Sequence, residues 1–332
     1  MDTYLVRGNP KNMASDSSTP YNLSTSGSLL ICKTCGTQHP TSDRQQLTTC
    51  FICDDPRQYT PPTGQAFTTL DEVRASGHRN IWVPFPGDDD RFVSIVTEPK
   101  LGIGQRAILV KTQRGNVLWD CITLLDDETV AKIKGLGGLK AIVISHPHFY
   151  SSHLEWARAF DCPVYLVAED REWLARTDPG RQVFVAEIET ELHIDGGYSG
   201  AKILKLGGHF PGSSVLLYDG RLLTADTIFT TPAGLGNWDA DAAGIKRERP
   251  YGMNSFAFMW SIPNMIPLSP SEVGRMWGIL QKYEFRSTHG LIVGSDILKT
   301  APEMRRRVLE SIQIHIRAAG EKVHPLLKET AD

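Results

Sequence analysis

Ile144-Ser145-His146-Pro147-His148-Phe149-Tyr150-Ser151-Ser152-His153 continues an apolar run that begins at Ala141. Such a run, ending in two histidines one residue apart, suits a buried strand that delivers ligands at its mouth. Residues i and i+2 of an extended segment point the same way, so His146 and His148 are expected to reach one point in space. Neutral imidazole is the commonest metal ligand. The same pair also suits an exposed or hydrogen-bonded strand end, and what the rest of the chain supplies decides between them.

Three further motifs follow. Gly207-Gly208-His209-Phe210-Pro211-Gly212-Ser213, Leu222-Leu223-Thr224-Ala225-Asp226-Thr227 and Phe285-Arg286-Ser287-Thr288-His289-Gly290 each set a His or Asp at the end of a short β-prone run beside Gly or Thr. The series H-x-H, G-H-x-P-G-S, L-T-x-D-T, T-H-G resembles the metallo-β-lactamase superfamily over residues 105–295. The resemblance implies an α/β (α+β) fold, the αββα sandwich. It implies that His146, His148 and His209 form the three-histidine set of a first metal position. It makes Asp226 the bridging carboxylate, which would also orient or deprotonate water, and His289 the last ligand of a second position. Three neutral nitrogens and one water is the open arrangement of a catalytic zinc.

The chain departs from the family pattern H-x-H-x-D-H, because Tyr150 takes the Asp place and Ser151 the His place. Two ligands of a second metal are therefore missing. His153 stands close enough to replace one of them, or is simply a histidine near a helix start. A phenol with a pKa of about 10 is a poor zinc ligand at neutral pH, so Tyr150 is expected to donate a hydrogen bond to an oxyanion. One catalytic zinc, or one tight and one weak, is expected.

Cys32-Lys33-Thr34-Cys35-Gly36 and Cys50-Phe51-Ile52-Cys53-Asp54 form CxxC-x14-CxxC. Two such knuckles suit one tetrahedral metal bound by four thiolates, a closed and therefore structural site. Zinc is the first expectation; iron, disulfides and free thiols remain open. The spacing resembles a zinc ribbon. Asp54-Asp55-Pro56-Arg57-Gln58-Tyr59 and Gly64-Gln65-Ala66-Phe67-Thr68-Thr69-Leu70 read as a strap docking this module onto the main domain. Together these features resemble a microbial and fungal branch of metallo-β-lactamase-fold proteins that includes lactam hydrolases acting on benzoxazolinone-type compounds. Cys121 and Cys162 lie in apolar runs and read as buried small hydrophobes.

The chain has 332 residues, 41% hydrophobic and 22% charged, enough for one large domain and a small one. The expected divisions are a disordered or extended arm over 1–28, the cysteine module and strap over 29–75, and the hydrolase domain over 76–332. A net charge of −3 gives no field that would draw in nucleic acid or anionic lipid. No apolar run reaches the roughly 18 residues of a membrane span, and Met1–Ser28 lacks the apolar core of a secretory signal. A cytoplasmic protein without membrane or nucleic-acid partners is expected, with its oligomeric state left open.

Within the main domain, Ala107–Lys111 and Asn116–Trp119 read as a hairpin. Ser214–Tyr218 and Leu222–Thr224 read as further strands. Helices are expected over Asp126–Leu136, Ser151–Phe160, Ser271–Lys282 and Arg305–Ala319. The insert Trp238–Pro267 is rich in aromatic and Met residues. Trp238, Phe258 and Trp260 are expected to line a pocket for a flat aromatic small molecule, although ordinary core packing accounts for the same composition. The implied chemistry is hydrolysis by a zinc-activated water, first of a cyclic amide (a lactam, as in xenobiotic detoxification), alternatively of an ester or thioester in the manner of glyoxalase II. A non-catalytic metal-binding interaction protein is the reading from another class.

Overall fold

Along Ala107–Thr112 the side chains alternate between two apolar environments, as the two-residue period of a strand requires. Ala107 and Leu109 enter one buried cluster with Leu118, Ile142 and Trp156. Ile108 and Val110 enter another with Val117, Trp119, Ala201, Ile203, Leu216 and Leu223. A third cluster holds Leu204, Val215 and Leu222 with Val273, Met276, Met304 and Val308. Three apolar layers between four layers of backbone make an αββα sandwich, in which each sheet is apolar on both faces. The structure is a computed structural model that describes residues 26–87 and 90–331. Of the arm expected over 1–28, only Ser26–Ser28 fall among the described residues, and there the Ser26 carbonyl accepts from Gln38 Nε2 at 3.1 Å.

The first sheet has seven strands in sequential order: Arg79–Pro84, Phe92–Glu98, Ala107–Thr112, Gly115–Trp119, Ala141–Val143, Val164–Val167 and Gln182–Val185. Its first four strands pair antiparallel and its last four parallel. The second sheet runs Glu189–Ile194, Gly197–Lys205, Ser214–Tyr218, Arg221–Leu223, Ser287–His289 and Asp296–Leu298. The hairpin Arg79–Pro84 with Phe92–Glu98 was not foreseen in the sequence.

Helices Asp127–Gly135 and His153–Phe160 cover the first sheet, and Pro270–Leu280 and Ala301–Ala318 cover the second. Side-chain caps fix the starts of three of them: Asp126 accepts from Thr129 N, Ser269 from Glu272 N and Thr300 from Glu303 N. Proline follows at the first turn of the last two, where its missing N–H costs nothing.

Ligands in sheets of this kind sit beyond the carboxyl ends of parallel strands. Those ends deliver Asp120, His146, Asp170 and Asp226 from four different strands. At the N-terminal side, Leu30–Cys32 pairs antiparallel with Phe67–Thr69, and the two cysteine knuckles pack against the main domain. Cys121 and Cys162 are buried free thiols. No helix among the described residues is long and apolar enough to cross a membrane.

Candidate metal centres

The strand that carries the H-x-H pair ends at Val143, earlier than the sequence suggests. His146 stays extended (φ −167°, ψ 169°), but Pro147–Phe149 forms a 3-10 turn. The two histidines therefore converge through different nitrogens. His146 presents Nε2, 3.4 Å from Asp226 Oδ2, and His148 presents Nδ1, 3.6 Å from the same oxygen. His209 Nε2 lies 3.3 Å from Asp226 Oδ2 and 3.1 Å from His148 Nδ1. A tetrahedral ion with bonds of about 2.0–2.1 Å spaces its donors about 3.3 Å apart. The four donors match that spacing, and His146 Nε2 is buried without a hydrogen-bond partner. The residues present fit a metal ion.

Neighbouring loops hold the cluster from behind. Ser145 Oγ meets His146 Nδ1 at 2.8 Å, and Asp120 Oδ1 accepts from Ser145 N at 2.7 Å. Thr227 Oγ1 accepts from His209 N at 3.4 Å and donates to the Gly207 carbonyl at 2.6 Å, so the residue after Asp226 holds the His209 loop. Gly208 adopts φ +89°, and a Cβ there would lie 2.7 Å from Thr227 Oγ1. Only glycine lets that loop approach so closely.

Burial sets the electrostatics. It lowers His148 to about 4 and His209 well below the ordinary value, which keeps the rings neutral and able to bind metal. Burial alone would raise Asp226, but the surrounding His146, His148 and His209 hold its carboxyl well below the carboxylate range. Burial lifts Asp120 to about 7 and Asp170 to about 6, each against the pull of His146.

Three expected site residues lie elsewhere. His153 Nδ1 meets the Tyr150 carbonyl at 2.8 Å and its Nε2 meets Gln182 Nε2 at 2.8 Å, so neither nitrogen is free for metal. His289 is held by Asp296 Oδ1 on Nδ1 and Ser287 Oγ on Nε2, both at 2.8 Å, and does not complete a second position. Tyr150 is buried in the core under the first sheet, and its hydroxyl donates to the Asp170 carbonyl at 3.4 Å rather than standing free for an oxyanion.

The aromatic trio also separates. Trp260 lines a cavity of about 540 Å³ against Gly207 and Gly208, the residues just before His209. Phe258 is fully buried in the core under the second sheet, where its ring meets His315 edge-on at 5.7 Å. Trp238 sits in a separate polar groove beside Arg247, whose guanidinium carbon is 5.3 Å from its ring.

Sequence reasoning passed over Asp120, Asp170 and Arg57. Asp120 and Asp170 follow strand ends just as His146 does, which was the available sign. Arg57 lay within the strap, but nothing in its spacing announced a contact with His209.

The cysteine module gathers its four thiols. Cys32 Sγ is 3.6 Å from Cys53 Sγ, and Cys35 Sγ is 3.7 Å from Cys50 Sγ. A tetrahedral metal with bonds of about 2.3 Å puts its sulfurs about 3.8 Å apart, far from a disulfide. Cys32, Cys35, Cys50 and Cys53 fit a single metal ion, as does the cluster of His146, His148, His209 and Asp226.

A family model described as the metallo-beta-lactamase superfamily matches residues 102–276. YmaE, an uncharacterised protein of Bacillus subtilis, is 39% identical over 262 residues, covering 77% of this chain and 85% of YmaE. A probable metallo-hydrolase of Methanocaldococcus jannaschii is 29% identical over 133 residues, 35% of this chain and 61% of that protein. The solved structure of VMB-1 aligns with a TM-score of 0.49 at 12% identity, over 73% of this chain and 98% of that one. The family match, which takes in His146, His148, His209 and Asp226, establishes that the chain belongs to the metallo-β-lactamase superfamily of metal-dependent hydrolases.

Proposed function

We propose that the protein is a zinc hydrolase with one catalytic metal that opens a small cyclic amide. The observation that carries this reading is the tetrahedral spacing of His146 Nε2, His148 Nδ1, His209 Nε2 and Asp226 Oδ2, with no second His or carboxylate cluster beside it among the described residues. A zinc ion held by these four donors would have to expand to a fifth position to bind a water, and there it would activate that water and polarise a carbonyl.

The chain's own residues supply the rest. Asp226 would hold the metal through Oδ2, which faces the three histidines, leaving Oδ1 to orient a water. An amide nitrogen leaves only when protonated, which calls for a general acid. Asp170 suits that role, because Gly212 N donates to its Oδ1 at 2.9 Å while its Oδ2 is buried without a partner. A thioester has no such need, so this carboxyl favours the amide. Trp260, at the cavity beside the His209 loop, offers a face to a flat substrate. Cys32, Cys35, Cys50 and Cys53 would hold a second zinc, which would tie the module together.

The test compares turnover of benzoxazolinone, as a cyclic carbamate, with a γ-lactam and with S-lactoylglutathione, as a thioester, by the zinc-loaded protein. Faster opening of the cyclic amides, reduced by Asp170→Asn, supports the proposal. Faster thioester cleavage would transfer the site to that chemistry. Turnover of none, with metal bound, would make the protein a binding module.

A further inference from the structure

We propose that the four-cysteine module is a positioning device for the catalytic centre, with Arg57 as the link, so that loss of metal from the cysteines weakens metal binding at the His/Asp cluster. This rests on the metal reading of that cluster.

The module grips both ligand-bearing loops. From the first knuckle, Gln38 N donates to the Ser151 carbonyl at 3.1 Å, just beyond the H-x-H turn. The Gly36 carbonyl accepts from Thr123 Oγ1 at 3.0 Å. From the second knuckle, the chain passes Cys53 and reaches Arg57 within four residues. Arg57 is 8% exposed. Its Nε meets Asp55 Oδ1 at 2.6 Å and its Nη2 meets Asp55 Oδ2 at 3.0 Å. Its Nη1 donates to the His209 carbonyl at 3.3 Å.

The guanidinium carbon lies 3.7 Å from the centre of the Phe210 ring. That ring in turn packs 4.9 Å from His148 and 5.1 Å from His209. Asn264 closes the far side, donating to the carbonyls of Pro56 at 2.8 Å and Gln58 at 2.9 Å. Asp55 and the His209 carbonyl take three of the five N–H groups of Arg57, which ties the His209 loop to the cysteine module at the wall of the cavity beside Gly207 and Gly208. A segment this small has no core of its own to replace the metal.

The experiment titrates the full chain with cobalt(II) against a competing chelator. Thiolate-to-cobalt charge transfer reports the cysteine site separately from the His/Asp site. Arg57→Gln should keep the charge-transfer band, while the thermal midpoint falls because Asp55 loses its cation, and should weaken the second equivalent about tenfold or more, the scale seen when a ligand's support is removed. Arg57→Lys should not restore it, because lysine lacks the planar fork. Cys50→Ser should weaken the second site as well; if that variant does not fold, Arg57→Gln decides alone. A second equivalent bound by Arg57→Gln as tightly as by wild type would overturn the coupling while leaving the hydrolase reading intact. A wild-type chain with no second equivalent would overturn both.

Discussion

His153 tests the assignment of the histidines sharply, since the sequence left it either a substitute ligand or a plain histidine near a helix start, and it is found locked in the core. Its Nδ1 faces a carbonyl and must donate, while its Nε2 faces the Gln182 amide nitrogen and must accept. Gln182 cannot turn over freely, because its Oε1 accepts from Asp178 N at 2.9 Å. Only the neutral ring satisfies both contacts, and burial lowers its pKa to about 4. A group with a depressed folded pKa gives stability that is full above the unfolded value and lost as pH falls toward the folded one. Taking about 6.5 for the unfolded ring, His153 removes about 2 kcal/mol between roughly pH 7.5 and pH 5, and about 3 kcal/mol by pH 4. His39, also lowered to about 4 by burial, adds its own loss, so the wild-type slope alone is not diagnostic. Urea unfolding of wild type and His153→Gln at both pH values isolates the ring: the variant should lose about 2 kcal/mol less on acidification and keep its full metal content. Equal losses in the two proteins, or a missing metal ion in the variant, would show that His153 is not the neutral core histidine described above.

Asp120→Asn should lower the affinity of the His/Asp centre by about 10- to 100-fold through the Ser145–His146 support, measured by chelator competition. Arg106 and Asp296 form a buried pair at 2.6 Å; Arg106→Met should cost about 3–5 kcal/mol in urea unfolding by taking the cation from a buried carboxylate, without removing metal. Phe258→Ala should cost about 3–5 kcal/mol as a core cavity, whereas Trp260→Ala, at a half-buried position, should cost less in stability and change KM for whichever substrate the protein turns over.

The sandwich was legible through the family resemblance that the ligand motifs carry, with hairpin strands followed by strands interleaved with helices in agreement; strands such as Ala107–Thr112 and Ala141–Val143 are themselves apolar on both faces and show no polar alternation. His146, His148, His209 and Asp226 could be found because each ends an apolar run beside Gly or Thr, or stands one step from it. His289 was misplaced and His153 left undecided for a different reason. Spacing tells where a side chain starts, but not which neighbour claims its nitrogens, and here Gln182 and Asp296 claim them from other strands. The insert misled similarly: aromatic density marks burial, but Phe258 is buried in the core while Trp260 lines the cavity. Arg57 reaches His209 across a separation of 152 residues, which no local pattern records.

Metal content per chain, measured by plasma mass spectrometry on protein purified without added metal, decides whether the chain carries one structural and one catalytic ion. Two ions are expected in the wild-type chain and one in His146→Ala/His148→Ala, with the remaining ion on the cysteines. Three ions in the wild type, or two retained in the variant, would contradict a single catalytic metal on the His/Asp cluster.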